Sequence, residues 1–207
     1  YDLFGVNVAT GTRLVQPICD KADATVDAAL KRLHGPREDR AKLFIRSDRA
    51  NELVKGIESG GFADPIATGR PNSNKAEREI LTYSDLLRIH MLRSGFSPAF
   101  RPLVSIAVAQ LQNLFRTKKS LDVDGNHIFR SPYQLRYGDK SVEVALNKCP
   151  MPGQLLTYVP MKTHQEAQDR IEARGVDCVF CCFDEFHGII HNAALVIPLK
   201  ALLTGVG

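Results

Sequence analysis

The chain has 207 residues and a formal net charge of +4, with 44% hydrophobic and 24% charged residues. This composition is typical of a globular protein that buries its own core, and it excludes global disorder. No segment approaches the roughly 18 consecutive apolar residues of a membrane-spanning helix. The N-terminal segment also lacks the basic and apolar regions of a signal peptide. We therefore expect no membrane partner, while the mild positive charge permits a polyanionic one.

The five cysteines predict a reducing compartment. Their number is odd and two of them are adjacent, which argues against a full disulfide framework. We expect free thiols and an intracellular, cytoplasmic protein, or one in the interior of a virion if the chain is cut from a longer precursor. The precursor hypothesis is motivated by Tyr1, which stands where an initiator Met would be. A trimmed sequence is the other interpretation.

The N-terminal part predicts short elements separated by glycine and proline. In chain order these are a hairpin at 2–17, a helix at 23–34, a strand at 43–45, and a helix that ends at Gly60-Gly61. The segment 60–76 is rich in Gly, Pro and Asn, so it is predicted to be a loop that forms an internal boundary or a mobile excursion.

A pair of helices is predicted at about 76–117. Gly95 and Pro98 separate a first helix, 76–94, from a second helix, 98–117. In the second helix, residues at helical spacing predict two faces. The apolar, buried face carries Val104, Val108, Leu111 and Phe115, and the polar face carries Arg101, Ser105, Gln112 and Arg116.

After Ser120 the pattern changes to the two-residue period of strands. Turns at Asp124-Gly125 and Gly138-Asp139 predict hairpins, because Gly tolerates a positive φ. The strands expected in this half are 121–123, 127–130, 134–137, 141–146, 155–159, 176–183 and 189–197, with a helix at 164–173. The fold class that follows is α+β, with a mostly antiparallel sheet, in a single domain over 1–207.

Three cysteines and two histidines lie between Cys178 and His191, and they support competing interpretations. The spacing of Cys178, Cys181, His187 and His191 has the ligand types of a zinc site. Cys182, His187 and Asp184 could instead form a thiol-dependent hydrolase site. Strand alternation opposes the zinc site, since it turns Cys178 and Cys181 to opposite faces. No glycine elbow or Gly-rich oxyanion loop supports the hydrolase site. We therefore expect a buried, thiol-lined hairpin without a cofactor, whose tip at 184–187 meets solvent.

The segment from Leu86 to Leu121 contains no Asp or Glu but six Lys and Arg residues. These are Arg88, Arg93, Arg101, Arg116, Lys118 and Lys119. The last three also suit the C-terminal end of a helix dipole without any ligand. Our leading hypothesis is a non-enzymatic interaction or assembly protein that binds nucleic acid or an acidic protein through these residues. A zinc- or thiol-dependent hydrolase is the alternative, and the sequence leaves oligomerisation open.

Overall fold

The computed structural model describes residues 1–34, 44–47, 51–67, 75–121, 124–138, 149–159, 175–186 and 189–204. The strands are β1 (Asp2–Val6), β2 (Arg13–Pro17), β3 (Phe44–Ser47), β4 (Ala63–Ala67), β5 (Lys118–Leu121), β6 (His127–Arg130), β7 (Leu155–Tyr158), β8 (Val176–Phe186) and β9 (Ile189–Pro198). The helices are α1 (Asp23–His34), α2 (Asn51–Ser59), α3 (Lys75–Ser94), α4 (Arg101–Phe115), α5 (Pro132–Tyr137) and α6 (Leu199–Thr204).

This architecture confirms the predicted α+β class. Over the described ranges the strands form three antiparallel sheets, β1-β2, β5-β6 and β7-β8-β9, and one parallel pair, β3-β4. The predicted helical pair is present as α3 and α4, joined through Gly95 and a 3-10 turn at Pro98–Phe100. In the same ranges no helix has the length and apolar character needed to cross a membrane.

The N-terminal hairpin follows the prediction. β1 and β2 pair antiparallel from Asp2 opposite Pro17 to Val6 opposite Arg13. Gly11 has a φ of 75° in the connecting turn, a left-handed conformation that favours glycine. The expected helices α1 and α2 also form, and Gly61, with a φ of 75°, follows the end of α2.

The prediction that 60–76 is a loop was wrong over its first part. Ala63–Ala67 is a strand that pairs in parallel with β3, so α2 is the crossover of a small β-α-β unit. Asp64-Pro65 suggested a turn in the sequence. In the structure β4 takes one extra residue between the partners of Phe44 and Arg46, and a two-stranded sheet tolerates proline at such a bulge. Residues 68–74 lie outside the described part.

Helix α4 lies at the centre of the protein, and two of the four residues on its predicted polar face are buried. Ser105 and Gln112 have 0% and 7% of their surface exposed. The Ser105 hydroxyl shares a 2.7 Å hydrogen bond with Tyr83 of α3, which satisfies its polar atom inside the core. Phe115 was predicted to be core but is 45% exposed. It is the last residue of the helix, where the surrounding elements no longer cover both sides.

Two amide side chains on α4 fasten strands to the helix. Asn113 accepts a hydrogen bond from the Arg13 amide and donates one to the Arg13 carbonyl, each at 2.7 Å. Gln110 makes the same pair with Phe183, at 3.0 and 2.9 Å. Each amide therefore supplies the hydrogen bonds that a neighbouring strand would otherwise make, which ties β2 and β8 to one helix.

Two of the hairpins predicted in the C-terminal half are present, and the one predicted around Gly138-Asp139 is wrong in its first strand. β5-β6 turns at Gly125, which has a φ of 80°, and β8 pairs with β9 along most of its length. Residues 134–137 are part of α5 rather than a strand. Ser131 and Gln134 form a reciprocal capping box at the N-terminus of this helix, and Pro132 occupies its first position. The strand expected at 141–146 and the helix at 164–173 fall outside the described residues.

Candidate functional site

The three clustered cysteines lie in the core. Cys178, Cys181 and Cys182 are at most 1% exposed, and all five cysteines of the chain are free. The Cys178 thiol donates to the Leu156 carbonyl at 3.4 Å. Cys181 and Cys182 pack with Ala107 of α4 and with Ile197. The expectation of a buried, thiol-lined hairpin is therefore confirmed.

A bulge explains how two adjacent cysteines are both buried. Phe180 lies opposite Val196 and Cys182 lies opposite Leu195, so β8 carries one extra residue at Cys181. Strict alternation would send Cys181 and Cys182 to opposite faces of the sheet. The extra residue breaks that alternation, as bulges do. The alternation of side chains between the two faces, which the sequence predicts for this strand, therefore does not continue beyond Phe180.

Burial suppresses the acidity of these thiols. It raises the pKa of Cys182 to about 12 and that of Cys181 to about 11, and neighbouring thiol or carboxyl groups add to both shifts. A thiolate is the reactive form of cysteine, so Cys182 at neutral pH is an inert thiol. The thiol-dependent site at Cys182, Asp184 and His187 stays a prediction, because His187 lies outside the described residues.

The prediction that 184–187 is a solvent-exposed tip was wrong for residues 184–186, and His187 lies outside the described residues. Strand β8 continues to Phe186, and Glu185 accepts a 3.0 Å hydrogen bond from Gln110 of α4. Burial raises the pKa of Glu185, and its hydrogen bond with Gln110 partly opposes that shift. Glu185 therefore belongs to the contact between helix and strand rather than to an open turn.

The zinc hypothesis depends on residues that the structure does not describe. His187 lies in a gap, and the side chain of His191 is also outside the described set. Within the described residues, no three His, Cys, Asp or Glu side chains gather closely enough to hold a metal ion. A zinc site at Cys178, Cys181, His187 and His191 thus stays a prediction.

The six basic residues of the acid-free segment do not form one patch. Arg101 begins α4 and Arg116 follows its last residue, so about 22 Å of helix separates them. Arg88 and Arg93 lie in the last two turns of α3, near the Gly95 turn and hence near Arg101. Arg116, Lys118 and Lys119 lie at the opposite end of α4.

At the Gly95 end, two of the cations have acidic partners. Arg101 contacts Asp2 at 2.8 Å, and the Asp2 carboxylate also accepts a hydrogen bond from Tyr83. Because Asp2 is buried, Arg101 neutralises a charge that would otherwise be costly. Arg88 lies 3.6 Å from Asp85, an exposed pair of little energetic value.

At the opposite end, one carboxylate serves two guanidinium groups. Glu79 of α3 contacts Arg116 at 2.7 Å and also pairs with Arg13, whose side chain is fully buried. The group of three carries a net positive charge. Since Arg13 is inaccessible, that charge is presented to solvent by Arg116, which is 44% exposed. No local sequence pattern indicates this group, because its members are far apart in the chain.

The β5-β6 hairpin follows Arg116 in the chain, and one of its two faces is exposed to solvent. Lys119 lies directly opposite Phe129, and Leu121 lies opposite His127, so these four side chains share one face. Phe129 is 69% exposed and Leu121 is 60% exposed. The other face is partly buried, and there the Lys118 ammonium lies against the Gly11 turn.

Phe129 and His127 were missed as candidate residues. They follow the acid-free segment and are separated from it by two aspartates, so a search for local charge runs ended before reaching them. The signal that could have found them is the alternation of His127-Ile-Phe-Arg130 combined with the turn at Gly125. That pattern places Phe129 on the same face as Lys119 once the register is known.

Comparison with known proteins leaves the chain without an assigned family. No protein-family model matches it, and no curated protein matches it. Among solved structures, a chain is similar to it in a cryo-electron microscopy structure of a simian T-cell lymphotropic virus intasome with the PP2A regulatory subunit B56 gamma. The two share 14% sequence identity with a TM-score of 0.39, over 95% of this chain and 71% of the other.

Proposed function

We propose that this protein binds single-stranded nucleic acid through the hairpin surface, defined as Arg116, Lys119, Leu121, His127 and Phe129. The observation that carries the proposal is the exposed Phe129 ring directly opposite Lys119 on β5-β6. An exposed aromatic ring beside a cation is the combination that single-strand binding surfaces use. Bases stack on the ring while the cation pairs with a phosphate.

The apolar part of this surface distinguishes the proposal from a solvated basic face. A helix dipole accounts for cations just after α4, but it gives no reason to expose Phe129 and Leu121. Both side chains cost free energy when they are left in water. A partner that covers them recovers that cost, and a nucleobase offers a flat apolar face to do so.

The charge around the hairpin suits a phosphate backbone. Arg116 carries the net charge of its group with Glu79 and Arg13, and Lys119 lies three residues further along. His127 on the same face adds an imidazole, whose ring N–H can donate a hydrogen bond to a phosphate oxygen. Asp124 in the turn reduces the net positive charge around the hairpin. The electrostatic attraction for a phosphate backbone is therefore local and moderate.

Fluorescence anisotropy with a labelled single-stranded oligonucleotide tests the proposal. Lys119→Glu is expected to weaken binding and to lower the slope of log affinity against log salt by about 0.7 or more, since one phosphate contact is lost. Lys200→Glu, an equal charge change at an exposed residue of α6, is the matched control and should leave both unchanged. Binding independent of salt, or equal losses in the two variants, would contradict the proposal.

Phe129→Ala separates nucleic acid from an acidic protein as the partner. Loss of one stacked base should weaken oligonucleotide binding by roughly 5- to 150-fold, as stacking energies of about 1–3 kcal/mol imply. Binding of polyglutamate depends on charge alone and should not change. If Phe129→Ala leaves oligonucleotide binding intact while Lys119→Glu abolishes binding of both ligands, the surface recognises acidic polymers in general.

A further inference from the structure

Helix α3 exposes large apolar side chains along its outer side. Leu81 is 70% exposed and Leu92 is 85% exposed. On the opposite side of the same helix, Tyr83 and Leu87 are buried in the core against α4. α3 is therefore fastened to the protein along its inner side, and its outer side is an apolar helix surface that meets solvent.

Four of the exposed residues of α3 form a regular row, which we call the α3 row: Leu81, Asp85, Arg88 and Leu92. Their spacing of four, three and four residues is that of the contact positions in a coiled coil. At about 100° per residue, the four side chains fall within an arc of about 60°. Asp85 and Arg88 are as open to solvent as the leucines, at 71% and 79% side-chain exposure.

The α3 row is complementary to itself in one orientation. A two-fold axis across the helix, between residues 86 and 87, brings Leu81 against Leu92 of a second copy and Asp85 against Arg88. Each contact then occurs twice, as a two-fold interface requires. A parallel pairing would instead set Asp85 against Asp85 and Arg88 against Arg88, and like charges in contact disfavour that arrangement.

We propose that the α3 row is a docking surface for a second copy of this chain, with the two α3 helices antiparallel. The 3.6 Å contact between Asp85 and Arg88 within one helix is exposed and weak, so both side chains are available to the second copy. α3 is about 30 Å long, enough for the whole row to lie against its equivalent. Two leucines per copy, at the ends of the row, supply only a small apolar contact area, so the association is weak and depends on protein concentration.

A charge-swap series, measured by sedimentation equilibrium without nucleic acid, tests the register. Asp85→Arg and Arg88→Asp each place like charges in contact twice, and each is expected to weaken association at least about tenfold. The double variant Asp85→Arg/Arg88→Asp restores opposite charges and should recover wild-type association. Equal losses in all three variants would overturn the antiparallel register. Circular dichroism confirms that each variant retains its helices.

Cross-linking tests the same geometry without relying on charge. In a Cys19→Ser background, Leu81→Cys mixed with Leu92→Cys should form an intermolecular disulfide, because these positions face each other. Either variant alone should not, since its cysteines would lie about 16 Å apart along the helices, well beyond disulfide reach. Cross-links in the separate variants, or monomeric wild-type protein at every concentration, would overturn the proposal. Neither result bears on oligonucleotide binding by the hairpin surface.

Discussion

Single side chains fix the position of strands in this protein. Asn113 provides both a hydrogen-bond acceptor and a donor to the main chain of Arg13, and both residues are buried. Buried main-chain groups without partners are costly. The Asn113 amide therefore stabilises the fold, although Asn has a low helix propensity. Its chemistry explains why a helix face that looks polar in the sequence lies in the interior.

Asn113→Ala is expected to destabilise the protein by about 2–4 kcal/mol, since it leaves two buried main-chain groups unsatisfied. Asn113→Asp keeps the acceptor for the Arg13 amide but loses the bond to the Arg13 carbonyl and buries a carboxylate against it, so we expect it to cost at least as much as Asn113→Ala. Urea unfolding gives both values. A loss below about 0.5 kcal/mol for Asn113→Ala would show that β2 does not depend on this side chain.

Glu185 makes stability depend on pH. Burial raises the pKa of this carboxyl above its ordinary value of 4.5, so the folded state favours its protonated form. That contribution to stability is present at low pH and is lost as pH rises through the folded-state pKa. Glu185→Gln should therefore stabilise the protein more at pH 7 than at pH 4, and its amide oxygen can still accept from Gln110.

Urea unfolding at the two pH values measures this difference. Glu58→Gln, which removes an exposed acidic group from α2, controls for the change in net charge. If Glu185→Gln changed the free energy of unfolding equally at pH 4 and pH 7, ionisation of Glu185 would not be coupled to folding.

At the scale of elements, the packing of a turn against a helix end decides whether a glycine in that turn can be replaced by a residue with a Cβ atom. Gly125 and Gly153 have similar φ values, 80° and 86°. A Cβ at Gly125 would meet no atom within 4 Å, whereas one at Gly153 would lie 2.5 Å from the Ser94 Cα. The turn before β7 thus rests directly on the end of α3.

Gly125→Ala is expected to cost only the left-handed backbone penalty, about 1–2 kcal/mol. Gly153→Ala has the same penalty and must also push main chain away from Ser94, so we expect at least about 3 kcal/mol. Thermal and urea unfolding of the two variants gives the comparison. Equal losses would mean that the turn at Gly153 moves away from α3 without cost.

The elements that the sequence predicted well are those specified by neighbouring residues. The β1-β2 and β5-β6 hairpins turn at glycines with positive φ, and α3 and α4 are separated at Gly95, as expected. α5 was misread as a strand because Gln134–Tyr137 alternates in polarity. The Ser131-x-x-Gln134 capping box that starts this helix is readable in the sequence and is the more specific signal.

The candidate site was predictable only in part. Its cations are visible as an acid-free run, but the carboxylates that engage them lie 37 and 99 residues away, at Glu79 and Asp2. The bulge at Cys181 is equally hidden, since it depends on how β8 meets β9. Sequence periodicity carries no information about such distant pairings. The separation of the basic residues between the two ends of α4 therefore became visible only in the structure.

At the scale of the whole molecule, α4 connects regions that would otherwise be separate small sheets. Its buried residues pack against β2 and α3 on one side and against the cysteines of β8 on another. Its last turn reaches Tyr133 of α5. Opening any one of these contacts exposes part of the same helix, so we expect the core around α4 to unfold as one cooperative unit.

Thiol labelling of the folded protein measures that cooperativity directly. Cys19 is exposed and should react with iodoacetamide at once, and half-buried Cys149 should react more slowly because burial raises its pKa to about 11. Cys178, Cys181 and Cys182 should react only as fast as the core around α4 unfolds. Mass spectrometry of peptides from samples in increasing urea should show the three protected thiols becoming reactive together with the loss of helical circular dichroism. Rapid labelling of Cys182 in native buffer would contradict a closed core and would restore the thiol-dependent alternative.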